Sequence, residues 1–453
     1  MVGDASQLPR WHHYFHAVTD DAPGAENGTG RYAPDVPGRT LHERTAGAMQ
    51  IHRSGHHLLR LTQPQPGGSH VMEWRLEAIP ETGDAPAGTR ITQHTSVTGI
   101  GAIGFARVSA QPFARDFADN IARLCLLVEP APAADALKVV IAGGSGFLGR
   151  RLAADLTARG HEVVILTRKP NPGLPWRQVR WDGRTVDAWA DELVGDNVAV
   201  VNLAGKLVDC PPTRTNIAAL ISSRVDATRA LVEATATRPV RRWLQASTTA
   251  GYADMGEERI DEDTPLPADD RALPQMTGVV IPWEAAATGA DGGTLPQTEA
   301  MTIIRTSIVL EQDCPAFNRL TMISSLGAGG PVGTGKQWFS WIHLDDWLAI
   351  ARAALGLDAP PLGGPADSPQ VVIAAAPEPV RNAELMRLLR RHWAPKGFGL
   401  PTPAPLLKVG AVGLRTDPAL ALTGRHCTSQ VLDERGFTFQ HPKLPEALEQ
   451  IAT

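Results

Sequence analysis

The sequence predicts an α/β protein built around a doubly wound parallel sheet, and three observations carry that prediction. Strand-like and helix-like segments alternate from residue 137 onward, as successive βαβ units do. A glycine-rich turn, Gly143-Gly144-Ser145-Gly146-Phe147-Leu148-Gly149, lies between the first of those strands and the first of those helices. The preceding 136 residues have a different texture, short strands followed by one helix, so a separate α+β unit comes first.

At 453 residues the chain has room for about two to four domains of roughly 100–200 residues. Hydrophobic residues make up 43% and charged residues 20%, which is ordinary globular usage and excludes global disorder. The net charge of −5 argues against a nucleic-acid partner, which needs a basic face to displace counterions. Cys125, Cys210, Cys314 and Cys427 lie far apart with no Cys-x-x-Cys, so reduced thiols are expected rather than a disulfide scaffold or zinc ribbon. No apolar run reaches 18 residues, and the N-terminus carries Asp4, Arg10, His12 and His13 in place of an apolar leader. A cytoplasmic protein with no membrane partner is the expectation.

Along the chain, residues 20–40 are rich in Gly, Pro, Asp and Asn and read as loop. Strands are expected at Gln50–His52, Leu58–Thr62, Val71–Ile79 and Thr89–Val97. Within the third, alternate residues Met72, Trp74 and Leu76 are apolar, the period of a half-buried strand. A turn at Glu81-Thr82-Gly83-Asp84 makes a hairpin of the last two. Phe113, Phe117, Ile121, Leu124 and Val128 then fall three and four apart, giving a helix over 111–128. The Pro/Ala run Glu129–Asp135 is the linker. Beyond it, Val139–Ala142 is a strand. Phe147, Leu148, Leu152 and Leu156 stripe a helix that ends at Gly160, and Val163–Leu166 and Val198–Leu203 are the next strands. A long helix carries Ile217, Leu220, Val225 and Leu231, and Trp243–Ala246 and Thr302–Ile304 continue the sheet. The division expected is 1–136, 137–310 and 311–453.

The glycines Gly143, Gly146 and Gly149 form Gly-x-x-Gly-x-x-Gly after a strand and at the start of a helix. The first allows a tight turn, the second lets a pyrophosphate approach the backbone, and the third packs helix on strand. The helix N-terminus then faces the phosphates. This is the dinucleotide-binding arrangement of a Rossmann sheet. NAD enzymes usually end the second strand on Asp or Glu. Here it ends Leu166-Thr167-Arg168-Lys169, two cations suited to a 2′-phosphate, so NADP(H) is the expected cofactor, with Arg168 the bidentate group. Gly330 to Lys336 nearly spells a P-loop, but Gln337 stands where the magnesium-binding hydroxyl belongs and no strand–helix frame surrounds it, so a nucleotide triphosphatase is rejected. The clusters His12, His13, His16 and His52, His56, His57 lack partner cysteines or a His-Glu-x-x-His pattern, so no metal site is expected.

Residues 137–453 resemble the extended short-chain dehydrogenase/reductases, specifically an atypical epimerase-like subgroup typified by the human family member 39U and its bacterial relatives. Besides the glycine turn, the stretches that carry the resemblance are Val201-Asn202-Leu203-Ala204-Gly205, Ser222-Ser223-Arg224-Val225, Ala246-Ser247-Thr248 and Trp283-Glu284. Gly333-Thr334-Gly335-Lys336-Gln337-Trp338, Ser340-Trp341-Ile342-His343-Leu344-Asp345-Asp346, the run Ala376–Glu384 and Gly436-Phe437 complete it. The resemblance implies a Rossmann core followed by a substrate-side region and a small tail domain. Residues 1–136 are similar, more weakly, to START-like (SRPBCC) helix-grip domains, which hold an apolar ligand between a curved sheet and a long helix. The usual first strand is not evident, so that domain is read as truncated.

The wider family works with Tyr-x-x-x-Lys, in which a lysine lowers the pKa of a tyrosine acid/base. Four residues beyond Tyr14, Tyr32 and Tyr252 stand Val18, Val36 and Gly256, so the pair is absent; Met276 and Val280 lie near the expected places. Relatives in the subgroup lack it too. The resemblance therefore implies an NADP(H)-dependent oxidoreductase or epimerase-like enzyme with a replaced acid/base. Ser247 and Thr248 would orient a carbonyl, and Tyr252 or His343 would move the proton. Gly143, Ser145, Gly146, Phe147, Leu148, Gly149, Arg168, Lys169, Asp182, Leu203, Ala204 and Gly205 would hold the cofactor. Glu284, Gln337 and Trp341 would face a small-molecule substrate. The alternative is a non-catalytic NADP(H) sensor coupled to the apolar-ligand domain.

Overall fold

The computed structural model describes residues 1–12, 14–34, 48–65, 67–80, 88–100, 102, 113, 116–128, 136–394, 398–407 and 416–452. The expected turn at 81–84, the linker at 129–135 and His13 lie outside the described residues. The chain divides into two units. One comprises Met1–Pro132 with Thr157–Gly160 and Pro172–Pro175; the other comprises Ala133–Leu156, His161–Asn171 and Trp176–Thr453.

The first unit holds a six-stranded antiparallel sheet in simple sequential order: β1 (Phe15–Asp20), β2 (Asn27–Pro34), β3 (Ala48–Ser54), β4 (Leu58–Gln65), β5 (Gly68–Ile79) and β6 (Gly88–Val97). Helix α1 (Phe117–Val128) follows. The alternation read in the sequence buries Met72 and Trp74 against Ile51, Leu59 and Leu61, with Trp11 and Phe113 in the same cluster. Two strands were hidden. β1 was not evident, and β2 falls inside the segment read as loop. The cause is local: Gly28 and Gly30 remove the side chains that would show a period of two. A Cβ at Gly30 would sit 2.1 Å from the Thr19 carbonyl oxygen across the β1–β2 pair, so glycine is needed there.

In the second unit β7 (Lys138–Ala142), β8 (Glu162–Thr167), β9 (Arg177–Arg180), β10 (Val198–Asn202), β11 (Val240–Thr248) and β12 (Thr298–Thr306) form a parallel sheet with β16 (Gln370–Ala374). The order is β16-β12-β11-β10-β7-β8-β9. From β7 the chain runs outward through β8 and β9, then returns to β10 on the other side. The crevice beyond the carboxyl ends of β7 and β10 is thus the switch point where such sheets bind ligands. The longer helices among the described residues are α2 (Phe147–Ala158), α3 (Arg214–Thr235), α4 (Thr277–Thr288), α5 (Pro315–Ile323), α6 (Leu344–Ala354), α7 (Asn382–Trp393) and α8 (Leu444–Ala452). Val140, Val164, Val200, Trp243 and Ile303 of the sheet are buried with Leu231 of α3, as expected for strands covered on both faces. Past β12, β13 (Ile308–Leu310) pairs in parallel with β15 (Trp341–His343), and β14 (Trp338–Phe339) pairs antiparallel with β17 (Val380–Arg381). Among the described residues no helix is long and apolar enough to cross a membrane.

Candidate functional site

The glycines after β7 divide their work. Gly143 has φ +77°, and a Cβ on it would lie 2.7 Å from the Leu203 carbonyl oxygen. Only glycine therefore allows the turn to close against the loop after β10. A Cβ on Gly149 would lie 2.5 Å from Gly144 Cα, so the third glycine seats α2 against the turn. Above Gly146 the space is open: its added Cβ would meet nothing within 4 Å beyond the Gly143 carbonyl oxygen, at 3.3 Å. Ser145 and Gly146 are exposed, Phe147 and Leu148 half-buried. The first turn of α2 thus presents backbone N–H groups beside bare backbone, a surface suited to phosphate.

The facing loop is held from below by a buried amide network. Asn202 donates to Thr228 Oγ1 (2.9 Å) and to Gln245 Oε1 (3.0 Å), and its own oxygen accepts from the Ala204 N–H (3.2 Å). Leu203, Ala204 and Gly205 are fixed opposite the glycine turn in consequence. At the end of β8, Thr167 Oγ1 donates to Ser145 Oγ at 3.4 Å, which ties that strand end to the turn. Arg168 and Lys169 follow, both exposed, and neither forms an ion pair with a carboxylate among the described residues. Asp182, beyond β9, is also exposed, but its carboxylate accepts from the N–H groups of Arg184 (2.7 Å) and Thr185 (2.9 Å) and from Thr185 Oγ1. Those bonds, the Thr185 N–H first, hold its carboxyl below the usual range, so it builds its own turn.

At the carboxyl end of β11 lies a nearly closed polar network. Ser247 Oγ donates to Glu284 Oε1 (2.5 Å), and Arg305 grips the same carboxylate through Nε (2.9 Å) and Nη2 (2.7 Å). Arg305 Nη1 donates to the Tyr252 hydroxyl (2.7 Å), which donates in turn to the Asp261 carbonyl (3.1 Å). Arg305 and Glu284 side chains are only 10% and 12% exposed. The bidentate pairing explains how β12 tolerates an arginine in an apolar run. Thr248, next on the strand, is half-buried, and its Oγ1 accepts from the Ala250 N–H at 3.2 Å.

Several expectations need correction here. Tyr252 is fully buried, and burial drives its hydroxyl well above the usual tyrosine range despite Arg305. With its hydroxyl already donating and accepting, it does not face a substrate. His343 is fully buried too: its Nδ1 accepts from the Asp345 N–H (3.1 Å) as cap of α6, and its Nε2 lies 2.9 Å from Gln450 Oε1. The Nδ1 role puts the proton on Nε2, and burial pulls its pKa down to about 4. It packs rather than relays protons. Trp341 has no exposed surface, with Nε1 donating to the Glu378 carbonyl (3.1 Å). Gln337 spends its amide on the carbonyls of Val332 (3.1 Å) and Ala421 (2.9 Å), so it staples a loop instead of lining a cleft. Met276 and Val280 are buried and apolar, leaving no acid/base on α4 at the Tyr-x-x-x-Lys places. His343, Asp345 and His441 do come together, His441 Nε2 3.2 Å from Asp345 Oδ2. The two imidazole centroids are only 3.8 Å apart with the ring planes tilted by 36°, closer than the roughly 5 Å that two rings aimed at one ion take with metal–nitrogen bonds near 2.0–2.1 Å.

Comparison with known proteins bears on the whole second unit. The model of the NAD dependent epimerase/dehydratase family matches residues 139–273, and that of a domain of unknown function, DUF1731, matches 402–451. Human epimerase family protein SDR39U1 is 31% identical over 324 residues, covering 70% of this chain and 99% of its own length. The chain belongs to the SDR39U1-type epimerase family. The crystal structure of human SDR39U1 (isoform 2) with NADPH superimposes with a TM-score of 0.57 at 29% identity, over 70% of this chain and 99% of that one. A Corynebacterium glutamicum structure described as a nucleoside-diphosphate sugar epimerase shares the fold over 99% of this chain and 86% of its own, TM-score 0.56 at 23% identity.

In this family member two arginines matter that the sequence reading gave no role. Arg305 stood out in Thr302-Ile303-Ile304-Arg305 as a lone cation within a buried strand, a visible signal for a partnered charge. Arg224, quoted only as part of a matching stretch, lies on α3 with its guanidinium 4.9 Å over the Trp283 ring and Nη1 donating to the Leu220 carbonyl (3.1 Å). Burial lowers its pKa from 12.5 to about 10. No spacing rule in the sequence points to it.

Proposed function

We propose that the parallel unit binds NADP(H) and acts as an oxidoreductase or epimerase-like enzyme of the extended short-chain dehydrogenase type on a small molecule. The observation that carries this reading is the open backbone at Gly146, beside the start of α2 and linked through Ser145 and Thr167 to the exposed cations Arg168 and Lys169. Phosphates suit the first place and a 2′-phosphate the second. Gly143, Ser145, Gly146, Phe147, Leu148 and Gly149 would hold the pyrophosphate side, and Leu203, Ala204 and Gly205 would line the opposite wall. The relative crystallised with NADPH supports the choice of nucleotide. When bound, the nicotinamide supplies or accepts hydride. Thr248, half-buried at the end of β11, is the hydroxyl left to orient a carbonyl, while Ser247 is held by Glu284.

The second reading, an NADP(H) sensor without turnover, draws on the closed surroundings of Tyr252 and His343 and on apolar Met276 and Val280. The first unit is read as a START-like domain for an apolar ligand; its continuous antiparallel sheet, following helix and aromatic interior support that. The division into 1–136, 137–310 and 311–453 belongs to the same proposal. Native mass spectrometry of freshly purified protein tests it. Copurifying NADPH or NADP⁺ supports the reading, and a protein that neither retains nor takes up either nucleotide refutes it.

A further inference from the structure

Arg224 is an unusual cation. It stands on α3, only partly exposed, yet among the described residues no carboxylate pairs with it. Among the described residues its guanidinium makes one hydrogen bond, to the Leu220 carbonyl, and its Cζ lies 4.9 Å over the Trp283 ring. Partly buried guanidinium groups are ordinarily paired, because desolvation of the charge goes uncompensated otherwise. The contrast with Arg305, locked to Glu284 by two bonds, is direct. The buried Trp283 Nε1 beside it also has no acceptor among the described residues. Donors of both side chains thus go without an acceptor among the described residues, where buried polar groups are nearly always satisfied.

Its place in the fold gives that excess a use. A Cβ added at Gly205 would come 2.9 Å from Arg224 Cζ, so the guanidinium lies directly against the loop that faces the glycine turn. Trp283 comes from α4, next to Glu284 and so next to the end of β11. Arg224 is thus bracketed by the β10 loop, α3 and α4, on the sheet's carboxyl edge, and among the described residues Nε and Nη2 have no acceptor.

We propose that Arg224 recognises a compact oxyanion, a carboxylate or phosphate carried by the substrate, so that the substrate is an anionic small molecule. This rests on the NADP(H) reading above, and it adds the substrate's chemical class and the residue that selects it. A planar group meets Nε and Nη2 as a fork, while Trp283 supports the guanidinium from below. The glycine-lined contact at Gly205 lets the backbone close around that pair.

The test is ligand-observed NMR on NADPH-saturated protein, with the nucleotide filling the phosphate sites around Arg168. Inorganic phosphate is followed by ³¹P line broadening, acetate by its methyl signal, and glucose serves as the neutral probe. Wild type should broaden phosphate, acetate or both, but not glucose. Arg224→Gln should weaken that binding at least tenfold, and Arg224→Lys should restore part of it. NADPH affinity should stay within about twofold in both, and melting temperatures verify that they fold; Arg224→Met is a third variant if Arg224→Gln does not. Unchanged oxyanion binding in Arg224→Gln overturns the proposal. A matching tenfold loss of NADPH affinity also overturns it, by making Arg224 a cofactor residue. If wild type binds no NADPH, the underlying reading has failed instead, and titrating the nucleotide-free protein shows separately whether Arg224 holds an oxyanion.

Discussion

Replacing Glu284 by Gln removes one charge from the network at the end of β11 while keeping its volume. The carboxylate accepts three hydrogen bonds, from Ser247 Oγ, Arg305 Nε and Arg305 Nη2. The amide that replaces it has a single oxygen, and its NH₂ meets a guanidinium donor head-on. Arg305 is then left as a buried cation with no counter-charge; its side chain is 10% exposed, so water does little to compensate. Breaking such a pair from one side costs about 3–5 kcal/mol, and the residual exposure places this case near the lower figure. At roughly 2–4 °C per kcal/mol for a unit of this size, Glu284→Gln should lower the melting temperature by about 6–12 °C. The assay is thermal unfolding followed by tryptophan fluorescence and circular dichroism. The double variant Glu284→Gln/Arg305→Met removes the orphaned charge and should recover much of the loss. A shift below about 2 °C for the single variant, or a double variant worse than the sum of the singles, would refute the reasoning.

The remaining expectations concern the turn, the buried imidazole and turnover. Gly146→Ala should leave stability within about 1 kcal/mol, since its Cβ meets almost nothing, while weakening NADPH at least tenfold by calorimetry; Gly149→Ala, with its Cβ 2.5 Å from backbone, should instead unfold the protein several degrees earlier. Because His343 is held near pKa 4 when folded, against 6.5 unfolded, the unfolded chain binds the proton first as pH falls. Its stabilising contribution is complete above about 6.5 and is lost progressively toward pH 4. Urea unfolding across that window should therefore show a shallower pH slope for His343→Gln than for wild type, and parallel slopes would contradict the assignment. With Met276 and Val280 at the Tyr-x-x-x-Lys places, UDP-galactose and UDP-glucose should interconvert negligibly in a coupled assay, and rapid interconversion would show that another group replaces the tyrosine.

The parallel sheet was legible because its signals are local. Buried strands are continuous apolar runs such as Val139-Val140-Ile141-Ala142, and the glycine turn declares its own geometry at Gly143 and Gly149. β2 was illegible because glycines at 28 and 30 erase the side-chain period that a strand is read by. β9 escaped as a four-residue polar edge strand, Arg177-Gln178-Val179-Arg180. The predicted site residues that the fold ties into hydrogen-bond networks share one feature. Ser247, Tyr252, Gln337, Trp341 and His343 are polar or aromatic residues on loops or strand ends, where sequence alone does not distinguish a side chain facing a cleft from one that closes a buried network. Glu284, Ala421, Glu378 and Gln450, the residues that satisfy Ser247, Gln337, Trp341 and His343, lie 37, 84, 37 and 107 positions away. Only the fold brings those partners together. Arg224 is the converse case, a residue conspicuous because no carboxylate among the described residues pairs with it, which only the folded chain can show.

The central claim is that the second strand ends in a 2′-phosphate site, and calorimetric titration with NADPH and NADH of wild type and Arg168→Ala tests it most directly. The account predicts that wild type binds NADPH at least tenfold more tightly than NADH, a difference of about 1.4 kcal/mol or more, and that Arg168→Ala loses most of that preference while its NADH affinity is unchanged. Equal affinities for the two nucleotides in wild type, or a preference that survives the loss of Arg168, would contradict it.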